Sequence, residues 1–339
     1  MPPTCKASPL SNGAPRRALS SSLLGALLLA LGCGPQNGVV GSEPAPTGGA
    51  GGSSGSGMAS GGAAGASAPI PTYRTDFDQN GAEWQPVTGI PGASTGFGVQ
   101  VSGAVDPSTA ELRFPGHPEP DASMYVDTEY RTEIASARRF GFGTYRTRLQ
   151  FGACSPNEET VNATLGYFAD ETDANQNGIT DDEEIDIQVL CGTPGRVFLT
   201  VFTDYQLPSA PGGEQFRKLS RAIDFATGDV FDTPASDSDT YTKTDNVAAW
   251  VRPELFAANA FYVAGFEWHA QSLRFFLQID GAEQTLWTLS DPERIPQRPV
   301  SFTYNLWHPD SHWFPAKGAA AFPAEDVVMH VDWFEYYAE

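Results

Sequence analysis

From Thr72 onward, no helical periodicity in the chain persists beyond about two turns, whereas alternation of apolar and polar residues recurs along most of it. SMYVDTEYRTEI (123–134), GTYRTRLQF (143–151), ATLGYFA (163–169), EIDIQVL (184–190), RVFLTVFTDY (196–205), FYVAGFEWHA (261–270), PVSFTYNLW (299–307) and VVMHVDWFEYYA (327–338) are strand-like runs of this kind. Gly, Pro, Asn or Asp clusters separate most of them, as turns between strands require. LRFFLQIDGAEQTLWTL (273–289) predicts a hairpin with Asp280 and Gly281 at its turn. Many strands with few helices predict an all-β domain, a two-sheet sandwich or jelly roll. No internal repeat is visible.

One strand breaks the ordinary expectation for an exposed face. In EEIDIQVL, Glu184, Asp186 and Gln188 fall on one face while Ile185, Ile187 and Val189 fall on the other. The aliphatic row belongs to a core, so the acids face a cleft or solvent. Carboxylates at i and i+2 lie about 7 Å apart along a strand and repel, which makes one of them hold its proton more tightly. Chemistry or metal binding is one reason to keep such a pair, and a solvated strand edge is the other.

The first part of the chain has a different composition. Arg16 and Arg17 precede the apolar run LLGALLLAL (23–31), followed by Gly32 and Cys33, which is the order of a signal segment over residues 1–33. Nine apolar residues are too few to span a bilayer, which takes about twenty. ALGC resembles a bacterial lipobox, so Cys33 is the expected lipidation site; the alternative is an ordinary secretory signal with a chance cysteine. Both place the mature chain outside the cytoplasm. Residues 34–71 are rich in Gly, Ser, Ala and Pro and predict a flexible tether. Residues 72–339 then form the folded domain. Cys154 and Cys191 lie within it, and in an exported chain they are expected to be oxidised to a disulfide, with two buried free thiols as the alternative. The net charge of −21 disfavours nucleic acid and anionic membrane as partners and leaves a neutral or cationic partner easier to accommodate, with a solvated acidic surface that keeps the chain soluble as the simpler reading.

The acidic strand resembles the active-site strand of glycoside hydrolase family 16, above all its lichenase (β-1,3-1,4-glucanase) branch, whose pattern is Glu-Ile-Asp-Ile-Glu. The resemblance continues in order along the chain. EYRTEIASARRFGFGTYRTRLQF is similar to the family stretch that runs from a Glu-x-Arg into a Tyr-Gly turn. FYVAGFEWHAQSLRFFLQIDG is similar to a Trp-containing strand and Val-Asp-Gly hairpin. IPQRPVSFTYNLWHPDSHWF is similar to the Met-Asn-Leu-Trp-Asn segment, and VVMHVDWFEYY to the closing strand with its Asp-Trp.

This resemblance implies a concanavalin A-like jelly roll with a concave glycan-binding cleft, and a retaining endo-glycosidase site for a β-glucan-type polysaccharide. Glu184 takes the place of the nucleophile, Asp186 of the residue that tunes it, and Gln188 of the general acid/base. Glu129, Arg131, Asn305 and Trp307 take substrate-contacting places, and Trp313, with Phe314, is a further sugar-stacking candidate. Gln188 cannot transfer a proton. Three readings follow: a hydrolase whose acid/base comes from another residue, such as Asp170, Glu171 or an acid in the insertion before the motif; a glycan-binding lipoprotein without turnover; or a structural sandwich with no glycan ligand. The family often carries Trp where this chain has Asp182. No cofactor is expected for the chemistry, and the chain is expected to be monomeric. DANQNGITDDEE fits a calcium-loop pattern through Asp173, Asn175, Asn177, Gly178, Asp181 and Glu184, although its flanks are strand-like. The resemblance offers Asp332 for a separate structural Ca²⁺ on the convex face, and a hydrogen-bonded structural acid is the alternative there.

Overall fold

The computed structural model describes residues 69–79, 81–88, 91–105, 108–116, 131–169, 173, 182–203, 218–234, 240–255, 260–309, 312–314 and 318–339. Cys33, Glu129, Asp170, Glu171, Asn175, Asn177 and Asp181 lie outside them. In chain order the described strands are β1 (Tyr73–Thr75), β2 (Trp84–Thr88), β3 (Ser94–Val99), β4 (Thr109–Phe114), β5 (Arg131–Phe140), β6 (Gly143–Gln150), β7 (Val161–Ala169), β8 (Asp182–Leu190), β9 (Arg196–Phe202), β10 (Lys218–Asp224), β11 (Asp229–Asp232), β12 (Thr242–Asn246), β13 (Tyr262–His269), β14 (Ser272–Ile279), β15 (Ala282–Leu289), β16 (Val300–Trp307) and β17 (Val327–Ala338). Two short 3-10 turns, Ala248–Trp250 and Pro292–Arg294, are the helical pieces among the described residues.

The strands form two antiparallel sheets. One runs β15-β14-β13-β6-β17-β4-β3 with β1 added on β17, and the other runs β12-β11-β10-β9-β8-β7-β16-β5-β2. β8, the acidic strand, sits at the centre of the nine-stranded sheet. Strands adjacent there come from distant parts of the chain, as β7 pairs with both β8 and β16.

The core lies between the sheets and is rich in aromatic rings. Phe302 of the nine-stranded sheet stacks on Phe334 of the other at 4.4 Å between ring centroids, and Tyr145 stacks on Phe302 at 5.8 Å. Ile185, Ile187 and Val189 project into this core and are no more than 4% exposed. β14 and β15 form the hairpin read from the sequence, with Asp280 (φ 51°) and Gly281 (φ 79°) both left-handed. Two consecutive positive φ values match the type I′ turn, whose twist suits the flanking strands.

A bridge joins Cys154 to Cys191. It ties the end of β8 to the segment between β6 and β7, and the backbone there is close: Cys154 N donates to Cys191 O at 3.2 Å, and Cys191 N to Thr160 O at 3.0 Å. A side chain at Gly192 would meet Glu158 O at 2.2 Å, so the residue after the bridge has no room for a Cβ.

Candidate active site on the outer face of the nine-stranded sheet

The register of β8 decides what surrounds the acids. Glu184 lies opposite Tyr167 on β7 and Phe202 on β9, Asp186 opposite Leu165 and Thr200, and Gln188 opposite Ala163 and Phe198. Residues directly opposite share a sheet face. Asp182 opens the strand opposite Ala169 and therefore stands on this face as well. Three carboxylates thus line one face of a single strand, at 182, 184 and 186.

Glu183 has a different task. Its side chain turns to the opposite face, where Oε2 accepts hydrogen bonds from Gln297 N and Arg298 N, each at 2.8 Å. It fastens β8 to the segment leading into β16.

Burial sets the electrostatics. Asp186 is 1% exposed, Gln188 is 9% exposed, and Glu184 keeps part of its surface accessible. Burial pushes Asp186 well above the usual carboxylate range, and the neighbouring Glu184 charge adds to the effect. Glu184 is pushed up to about 7 by burial, with the Asp186 hydrogen bond pulling it back, Glu133 raising it further, and Lys218 and Arg131 lowering it. Asp186 is therefore the member of the pair that keeps its proton longer and donates it to Glu184, which ionises first. Asp182 is also pushed up to about 7, by burial and then by the Glu184 and Glu183 charges. Asp186 Oδ1 is a buried acceptor with no partner among the described residues.

One side of this face is charged and another is aromatic. Arg131 and Glu133 on β5 lie opposite Trp307 and Asn305 on β16. Arg131 Nε is 2.7 Å from Glu133 Oε2. Burial raises the Glu133 pKa, against Arg131 and an Asn305 hydrogen bond, which lower it. Trp307 and Trp313 pack on a second apolar cluster on this face, built from Val161, Ala163, Leu165, Leu190, Phe198 and Ala222. The Trp313 ring meets Phe198 edge-on at 5.2 Å and lies 5.9 Å from Trp307. Because Phe198 is the neighbour of Gln188, the aromatic side begins where the carboxylate row ends.

The loop carrying Trp313 is held by groups that the sequence did not single out. His312 Nδ1 is 2.7 Å from the Glu159 carboxylate, and His308 Nδ1 is 2.6 Å from Glu159 O. Glu159 is 2% exposed, and burial raises its pKa with His312 opposing. Nothing in the local pattern around Glu159 announces this role, since its partners lie about 150 positions away. Glu133 was equally unmarked, although its spacing of two from Arg131 on a strand was a usable signal.

Asp332 is held by protein donors. It is fully buried, and its Oδ2 accepts from Val105 N at 2.9 Å and from the Arg148 guanidinium. Arg148 also donates to Gly103 O at 2.8 Å. The guanidinium thus bridges Asp332 Oδ2 and the Gly103 carbonyl, and its positive charge compensates the buried acid. Of the calcium-loop positions Asp173 and Glu184 are described, and among the described residues no group of three or more His, Cys, Asp or Glu is placed to hold a metal. Asp332→Asn is expected to leave calcium stoichiometry in a calorimetric titration unchanged; loss of one bound equivalent would restore Asp332 as a ligand.

No family model matches the chain, and no curated protein matches it. Solved structures similar to it include a β-glucanase from Bacillus licheniformis, at 16% identity and TM-score 0.46, covering 79% of this chain and 98% of that one. A prokaryotic β-1,3-1,4-glucanase (lichenase) derived from a mouse hindgut metagenome is similar at 16% identity and TM-score 0.45, covering 79% and 99%. A glycosyl hydrolase family 16 protein from Mycobacterium smegmatis is similar at 16% identity and TM-score 0.42, covering 79% and 100%.

Proposed function

We propose that this protein is a retaining endo-glycosidase for a β-glucan-type polysaccharide, with Glu184 as nucleophile and Asp186 as the group that keeps it ionised. The observation that carries the reading is the Glu184–Asp186 pair: two coupled carboxyls on the outer face of a central strand, one of them 1% exposed, beside Trp307 and Trp313. A sandwich with no ligand gains nothing from burying them, because an uncompensated carboxylate costs several kcal/mol, about the scale of a domain's whole stability. Tryptophan faces suit the apolar face of a pyranose, and Arg131, Glu133 and Asn305 supply hydrogen bonds to its hydroxyls. The ordered motif resemblance to family 16 supports the same reading. The proposal extends to export with a lipid anchor on Cys33, a location in which the Cys154–Cys191 bridge would persist.

Glu184 attacks the anomeric carbon as the bond to the leaving sugar oxygen breaks, and water later releases the glycosyl group from Glu184. Proton transfer is needed in both steps, and Gln188 cannot supply it.

That amide favours a second reading, a glycan-binding protein that keeps the cleft without turnover. The two readings separate on mixed-linkage and β-1,3-glucan. The hydrolase reading expects reducing ends from the wild-type chain and no more than a few-fold change in Gln188→Glu. The binding reading expects glycan retention without products, and hydrolysis gained in Gln188→Glu by about 10²-fold or more over background. Absence of both binding and cleavage across a glycan panel would leave the structural sandwich.

A further inference from the structure

We propose that the outer face of the eight-stranded sheet, across the core from the carboxylate row, carries a second ligand site that takes a neutral sugar ring. A recess of about 450 Å³ opens there, lined by Glu111, Gln150, His330 and residues 99–102. That volume falls in the range of roughly 300–1,000 Å³ typical of small-molecule sites. The inference stands apart from the hydrolase reading, because no residue lining the recess belongs to the nine-stranded sheet.

Strand register builds the recess. His330 on β17 lies opposite Gln150 on β6 and Glu111 on β4, so the three side chains form one row across adjacent strands. Their chain neighbours Leu112, Leu149, Met329 and Val331 belong to the core, which turns the row outward. Strands stand about 4.8 Å apart, so the row spans roughly 10 Å, enough for one ring with its hydroxyls. Val99 and Val101, at and just beyond the end of β3, add apolar wall.

One group in the row calls for a ligand. Gln150 is 6% exposed, and its Nε2 has no acceptor among the described residues. A buried donor left unpaired has given up its hydration with nothing in return. The groups around it are held in place without satisfying it. Glu111 Oε1 accepts from Arg113 at 3.0 Å, while Glu111 Oε2 stands 4.0 Å from His330 Nδ1, beyond hydrogen-bond reach. Thr109 Oγ1 donates to Val99 O at 3.1 Å and lies 3.4 Å from His330 Nδ1, a contact that leaves the other ring nitrogen for a ligand.

This set of groups selects the ligand's chemistry. An anion meets the Glu111 carboxylate on a chain of net charge −21. A cation meets the Arg113 guanidinium that already compensates Glu111, and offers no acceptor to Gln150. An apolar molecule leaves Gln150 Nε2 and Glu111 Oε2 unpaired. A hydroxyl both donates and accepts, so neighbouring ring hydroxyls accept from Gln150 Nε2 and donate to Glu111 Oε2, with the C–H face of the ring against Val99 and Val101. A free monosaccharide and one residue of a glycan chain share this chemistry.

Amide NMR of the full chain reads the site directly. The probes are glucose, galactose, mannose and N-acetylglucosamine, and mixed-linkage β-glucan in a Glu184→Gln background that spares the polymer. At least one of them should shift the Gln150 side-chain amide resonances saturably. A response to a monosaccharide identifies a single-ring site and a response to the glucan alone identifies a chain residue, and both support the proposal. Gln150→Leu, followed through the Val101 and Ser102 backbone amides, should weaken the sugar by about fivefold or more, the worth of one hydrogen bond. Having lost a buried unpaired donor, it should melt no lower than wild type; should it fail to fold, the titration with Gln150 in place decides alone. Sugar binding unchanged in Gln150→Leu, a saturable shift by sulfate in place of every sugar, or no saturable shift by any of these probes overturns the site, and each leaves the reading of the cleft as it stands.

Discussion

Glu184→Gln is expected to lower glucan turnover by on the order of 10⁵-fold, the scale on which an essential nucleophile is lost, while making the protein more stable at pH 8. The two effects have one cause. Glu184 is displaced from 4.5 to about 7 in the folded protein, burial being the largest contributor. A raised acid pKa means that the folded state holds protons the unfolded state has released. Its penalty is therefore absent below about pH 4, grows as pH rises through the unfolded value, and is complete above about pH 7. At one pKa unit per 1.36 kcal/mol the penalty has an upper limit of roughly 3 kcal/mol at pH 8. The neutral amide does not incur it. Calorimetric melting at pH 4 and pH 8 should show the variant gaining about 5 °C on wild type at the higher pH and almost nothing at the lower. An equal shift at both values would mean that Glu184 is not charged at neutral pH, and would remove it as nucleophile.

This trade between chemistry and stability also accounts for the uneven legibility of the site. The alternation over 184–190 is a period of two, and it assigns Ile185, Ile187 and Val189 to the core without reference to any partner strand. The hairpin at Asp280 and Gly281 was readable because few residue pairs adopt its backbone. Asp182 was harder to see. Anchoring the motif on Glu184 turns position 182 into a missing aromatic, although the same strand read two residues earlier gives acid-x-acid-x-acid across 182, 184 and 186. The partners of Asp332 and of the Trp313 loop had no sequence signal at all. Arg148 precedes Asp332 by 184 positions, and Glu159 precedes His312 by 153, so only the register of distant strands brings them together. Local pattern reports which face a side chain takes, and long-range pairing decides what it meets.

The second large effect concerns the bridge. Replacing both cysteines with alanine is expected to lower the melting temperature by about 8–15 °C, and reduction of the native protein should do the same. Cys154 and Cys191 are 37 positions apart, and the segment they close contains all of β7 and β8. Constraining a loop of that length in the unfolded chain is worth about 4 kcal/mol on chain-entropy arguments. Alanine is the appropriate replacement because Cys191 is fully buried, and a serine hydroxyl there would add an unpaired polar group. The loss should appear in stability before it appears in the site: Glu184 and Asp186 are held by both β7 and β9, and Asp182 by β7, through their own ladders, so glucan cleavage at 20 °C should stay within a few-fold of wild type. A melting temperature within about 2 °C of wild type would mean that the unfolded chain already keeps β7 and β8 together, leaving the bridge little freedom to remove. A dialanine variant that stays folded but loses cleavage would instead make the bridge part of the site's geometry, acting through the end of β8 where Gln188 and Leu190 meet the aromatic cluster.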